Sequence, residues 1–107
     1  MIYKFKSKAA GDVIMMGPAG DDLLRLIGKA PAPKGIIEVG AMRAAVAAIE
    51  QAIAADEAAR ARAAQVAAAE GRKPVPRDDV TLRQRAWPLA EMMRRSMDED
   101  ADIVWGV

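Results

Sequence analysis

The chain has 107 residues and a net charge of +1, so its length fits one domain, residues 1–107, and its charge recruits neither nucleic acid nor an anionic membrane. It has no Cys and no His, which removes disulfides, thiolate nucleophiles, the commonest general base and the commonest metal ligand. Alanine inflates the 52% hydrophobic content, so the larger apolar residues must converge from a few patches to build a core.

In chain order, Ile2-Tyr3-Lys4-Phe5-Lys6 alternates with period two and predicts a strand. Tyr3 and Phe5 point one way, and Lys4, Lys6 and Lys8 the other. Ser7 to Gly11 is expected to turn, with Asp12 capping a helix over Val13–Met16. Gly17-Pro18-Ala19-Gly20 is expected to interrupt that helix, Asp21 or Asp22 to restart it, and Gly28 to stop it. Lys29–Gly35, with Pro31 and Pro33, reads as an extended connection, followed by a short central strand at Ile36–Val39.

Met42, Val46, Ile49 and Ile53 recur at helical spacing. The Ala-rich segment that follows, with its loop, spans 54–79. One unbroken helix there would run ~45 Å, so a break near Asp56 or an arm supported by a partner is expected. A last helix from about Val80 to Met97 is capped by Asp78, Asp79 or Thr81 and carries a stripe of Leu82, Ala86, Leu89, Ala90, Met93 and Met97. Pro88 inside it predicts a kink near Gln84 or a restart at Trp87. Asp102–Val107 closes as a strand, with Ile103 and Trp105 facing opposite to Val104, and is expected to pair with the first. The fold class is α+β: a small sheet of two or three strands (N-terminal, central and C-terminal) packed with three or four helices.

Phe5-Lys6-Ser7-Lys8-Ala9, Asp12-Val13-Ile14-Met15, Leu23 to Gly28, Pro33 to Ile37, Arg85 to Leu89 with Glu91, and Val104-Trp105 together resemble a family of short bacterial proteins known as a domain of unknown function. The resemblance spans most of the chain outside Ala54–Arg77. It implies a small α+β fold and supplies no activity, substrate or catalytic residue.

Four constellations invite a functional reading. Gly17-x-x-Gly20 is similar to the loop with which a KH domain clamps a nucleic-acid backbone, but Asp21 and Asp22 follow at once and would repel phosphate. Arg83, Trp87 and Arg94 share a helix face and could stack a planar or anionic ligand. The plainer alternative has Trp87 at the core edge under the arginine stems. Lys4, Lys6 and Lys8 make a positive stripe, either a solvated strand face or a surface for an acidic partner such as the acidic tail of a neighbouring chain. The acidic run Asp98, Glu99, Asp100 and Asp102 could in principle ligate Mg²⁺ or Ca²⁺, but it lacks the glycine and terminal glutamate of a Ca²⁺ loop, and Arg94 and Arg95 are its expected partners. Glu91–Arg95, Arg94–Asp98 and Arg95–Glu99 are the helical pairs in question.

No nucleophile–base set and no cofactor or metal motif emerges. The charged N-terminal stretch does not read as a signal peptide, and no apolar run is long enough to span a bilayer. The preferred expectation is a non-catalytic cytoplasmic interaction or structural module that self-associates or binds another cytoplasmic protein. A small anion- or nucleotide-binding regulator is the alternative, with GxxG-type nucleic-acid binding and carboxylate acid–base catalysis behind it.

Overall fold

Alternation at the start of the chain builds β1 (Ile2–Ser7), which buries Tyr3 and Phe5 and leaves Lys4 in solvent. The computed structural model describes residues 2–72 and 81–107. A tight turn at Lys8 and Ala9, where the Ala9 N–H donates to Ser7 Oγ at 3.1 Å, returns the chain as β2 (Ala10–Met16). The expected helix at Val13–Met16 is therefore a strand, antiparallel to β1 with Ile2 opposite Met16 and Phe5 opposite Val13. Asp12 caps nothing; it sits in this strand and pairs with Lys4 at 3.6 Å.

The chain passes directly from β2 into α1 (Gly17–Leu26). Pro18 lies in its first turn, where an N–H has no helical acceptor to lose, so the helix neither kinks nor restarts at Asp21. Gly20 is buried in the same turn: a Cβ there would lie 2.1 Å from the Tyr3 ring. Gly28 takes φ +86° just past the helix, a left-handed stop as the sequence implied. β3 (Gly35–Ile37) is shorter than expected, and α2 begins at once.

α2 runs unbroken from Val39 to Ala69 and spans ~46 Å, most of the 51 Å long dimension of the molecule. The expected break at Asp56 is absent, because Asp56 instead accepts from Arg60 one turn on, at 3.0 Å, within a run of strong helix formers. Its buried residues are Met42, Ala45, Val46, Ile49 and Ile53, the apolar face read from spacing. Beyond Ile53 the helix buries no side chain among the described residues.

α3 (Leu82–Asp98) starts with a reciprocal cap, Thr81 Oγ1 accepting from the Gln84 N–H and Gln84 Oε1 from the Thr81 N–H. Asp78, Asp79 and the loop prolines Pro74 and Pro76 lie outside the described residues. Pro88 stands inside the continuous helix, with no restart at Trp87. The Asp100 N–H bonds the Met97 carbonyl and the Ala101 N–H the Ser96 carbonyl, closing the helix with Asp100 at φ +53°.

β4 (Ile103–Trp105) then inserts between β1 and β3, giving an antiparallel sheet ordered β2-β1-β4-β3. First and last strands do pair, Phe5 opposite Trp105 and Lys6 opposite Val104. The fold is thus α+β with four strands and three helices among the described residues, one strand more than expected. Helices cover one face of the sheet, where Phe5, Leu24, Ile37, Met42, Ile49, Leu89, Met93 and Ile103 have no exposed surface. Burying each such side chain contributes on the order of 1.5–3 kcal/mol.

Tyr3 lies stacked beside Phe5, and Phe5 meets the edge of Trp105, each pair at 5.8 Å between centroids. The Tyr3 hydroxyl donates to Asp21 in α1. That hydrogen bond, with burial behind it, pushes the Tyr3 phenol up from 10.0 to about 12.

Two predictions follow from this corner. Gly20→Ala should destabilise the protein by about 1–3 kcal/mol in urea denaturation, because the new methyl must displace a buried ring. Tyr3 is the sole tyrosine, so phenolate absorbance reports it alone. It should ionise near 12, and Asp21→Ala should bring the midpoint back towards 10.0. Because the folded pKa is the higher one, this contribution is fully present below pH 10.0 and is lost as pH rises through about 12.

Candidate functional site

Arg83, Trp87 and Arg94 do gather on one side of α3, over its contact with α2. The guanidinium of Arg94 lies 4.7 Å from the Trp87 ring centroid and that of Arg83 5.5 Å away. Trp87 is 39% exposed, so it sits at the edge of the core. Both cations are already engaged. Arg83 Nε donates to Glu57 at 2.6 Å, while Arg94 donates to Glu50 at 2.6 Å and to Glu91.

The hydrogen bond from Arg83 holds the Glu57 carboxyl below its ordinary range, and the carboxylates hold both arginines above theirs. The corner is thus an electrostatic clasp between two helices, with a shallow cavity of 260 Å³ beside it. An anion arriving there has to displace Glu50 or Glu57 from its arginine. Neither glutamate was among the sequence candidates. They stand seven residues apart on α2, flanking Ile49 and Ile53, and that two-turn spacing beside the apolar stripe is the signal that marks them.

The helical pairs expected along α3 do not form. Arg94 reaches back to Glu91 and across to Glu50 instead of forward to Asp98, and neither Glu91 nor Glu99 pairs with Arg95. The reason is geometric: Arg94 lies on the side of α3 facing α2, where two carboxylates converge.

The lysines separate. Lys4 pairs with Asp12 across the β1–β2 ladder, Lys6 points outward from the middle of the sheet, and Lys8 lies in the turn beyond β1. Lys6 and Lys8 line an open groove of 660 Å³ together with Glu99 and Asp100, above Ile36 and Val104. Among the described residues these four charged side chains form no ion pair. Asp102, at the rim of the groove, accepts from the Val39 N–H at 3.0 Å and so caps α2.

Gly17 and Gly20 make no loop between helices. A strand precedes them, both glycines are buried in the first turn of α1, and Gly20 is the seat of the Tyr3 ring. Among the described residues the one buried polar side chain is Ser96, whose hydroxyl meets that of Ser7 at 2.8 Å. No acidic cluster there has the make-up of a metal site, and no helix is long and apolar enough to cross a membrane.

The clasp can be tested by substitution. Arg94→Ala should cost about 1 kcal/mol in urea denaturation, removing a cation over an indole and two carboxylate contacts. Arg83→Ala should cost less, its single pair being in open solvent, and added salt should shrink both differences.

No curated protein and no solved structure matches the chain. A family model described as "Domain of unknown function (DUF1840)" matches residues 1–105. On that match the chain belongs to the DUF1840 family, a domain of unknown function.

Proposed function

We propose that this domain is a non-catalytic interaction module that works in the cytoplasm as a homo-oligomer. The observation that carries the reading is the uncovered face of the sheet. Helices pack on one side only, and the other side holds Ile2, Ile14 and Met16 at 61%, 63% and 67% exposure, with Ile36 at 38%. Apolar side chains gathered on one surface, rather than scattered, are the mark of a surface that another protein covers. The composition supports the non-catalytic part, since neither His nor Cys is present to serve as base or nucleophile.

Sedimentation equilibrium of the full chain tests it. The expected outcome is a mass above the 11.4 kDa of one chain, rising with concentration up to about 100 μM. A constant mass of one chain across that range overturns the reading.

A further inference from the structure

We propose that the open edge of β2 takes an extended segment of another protein, apolar along its length and with one carboxylate set against Arg85. This docking line is separate from the sheet face on which self-association rests.

The strand order leaves β2 and β3 at the two edges of the sheet, each with a row of backbone N–H and C=O groups that no strand among the described residues takes up. β3 has only three residues. β2 has seven, and its two halves differ. Towards the turn, Gly11 and Asp12 together stand opposite Lys6, a bulge with a charge in it, and both features discourage further pairing. Residues 13–16 carry no charge and no proline, and their register with β1 is regular. An unguarded apolar edge of this kind is a template for an added strand.

A groove of 340 Å³ lies against the same half of β2. It is lined by residues 13–16, by Ala19 in the first turn of α1, and by Gln84, Arg85 and Pro88 in α3. Consecutive residues of a strand point to opposite faces, so a groove that touches all four follows the edge itself rather than either face. A strand laid on the edge would therefore place its helix-side groups against Met15, Ala19 and Pro88, which suit apolar side chains.

Charge narrows the kind of segment. Arg85 is the one charged residue lining the groove. It is exposed and, unlike Arg83 and Arg94, forms no ion pair among the described residues. A guanidinium at the rim of an apolar groove is matched by a single carboxylate, held through two parallel hydrogen bonds. Nucleic acid has no row of alternating donors and acceptors to lay on the edge. A second copy pairing through its own β2 presents Val13 and Met15 on the side of Phe5 and Tyr3, and neither answers Arg85.

Isothermal titration calorimetry of the full chain with acetylated, amidated heptapeptides of alternating valine and threonine tests the edge. One peptide carries no charge, and in the others a single glutamate occupies each position in turn, so that no register is assumed. At least one glutamate peptide should bind with a Kd below about 1 mM, and the uncharged peptide about tenfold more weakly. Arg85→Ala should remove that difference. Methylating one alternate set of the peptide's backbone nitrogens should abolish binding, and methylating the other set should leave it, because only alternate N–H groups face a neighbouring strand. In the complex, amide exchange should slow at every second residue of 13–16 and stay unchanged in β3. Failure of every peptide to bind below that limit overturns the proposal, as does binding that both methylated forms retain. Slow exchange at residues 13–16 without peptide, at concentrations where the chain self-associates, gives the edge to a second copy and also overturns it. The mass found by sedimentation bears on self-association alone.

Discussion

The row of three rings that ties β1 to β4 is the contact on which the remaining structure depends. Tyr3, Phe5 and Trp105 lie on the helix side of the two central strands, and each also holds something outside the sheet. Tyr3 receives the first turn of α1 through Gly20 and Asp21. Trp105 donates its indole N–H to the Ala32 carbonyl at 2.9 Å, which fixes the proline-rich connection leading into β3. Phe5 stands between them with no exposed surface. Aromatic pairs of this geometry contribute about 0.5–1.5 kcal/mol each beyond their buried area. Their larger effect is positional, since sheet, first helix and connection are all placed by one row.

Above that row the helices form a single layer. α3 lies against α2 and buries small and flexible side chains, Ala86, Ala90, Met92 and Met93; alanine permits close backbone approach and methionine fills irregular gaps. Outside the layer the clasp of Arg83 and Arg94 with Glu50 and Glu57 joins the same two helices at the surface. Packing supplies the strength and the charges fix the mutual setting of the helices, because exposed ion pairs contribute little net energy. All of this lies on one side of the sheet. The described residues place no element on the other, and the apolar end of that face keeps its exposure for that reason.

Much of this was legible in the residues. Clean alternation in Ile2–Lys6 and the β-forming residues of Ile103–Trp105 announced two strands, and the spacing of Met42, Val46, Ile49 and Ile53 announced the buried face of α2. The failure at Val13–Met16 is instructive. Alternation is visible only when one side of a strand is polar, and β2 is apolar on both sides, with Met15 in the core and Ile14 and Met16 outward. A short apolar run after an aspartate then looks like a helix start. The feature that hid the strand is the same exposed face on which the proposed function rests. Pro18 leaves α1 intact because its effect depends on where the helix begins, and α2 stays continuous because propensity over a long alanine run outweighs compactness. The clasp glutamates depend on how two helices rotate against each other, which periodicity within one helix does not report.

The position of β4 has a consequence for how the chain acquires its structure during synthesis. The two central strands, β1 and β4, are about a hundred residues apart in sequence, so β1 cannot gain its inner neighbour until the segment through Ile103–Trp105 has left the ribosome. Until then the β1–β2 hairpin has one side unpaired, and β3 has no strand beside it. Local elements such as α2 can form early, but the ring row and the sheet close together in one late step with a long loop to gather. Folding of this domain is therefore gated by the Ile103–Trp105 strand, and a nascent chain that stalls short of Ile103 carries its aromatic side chains uncovered.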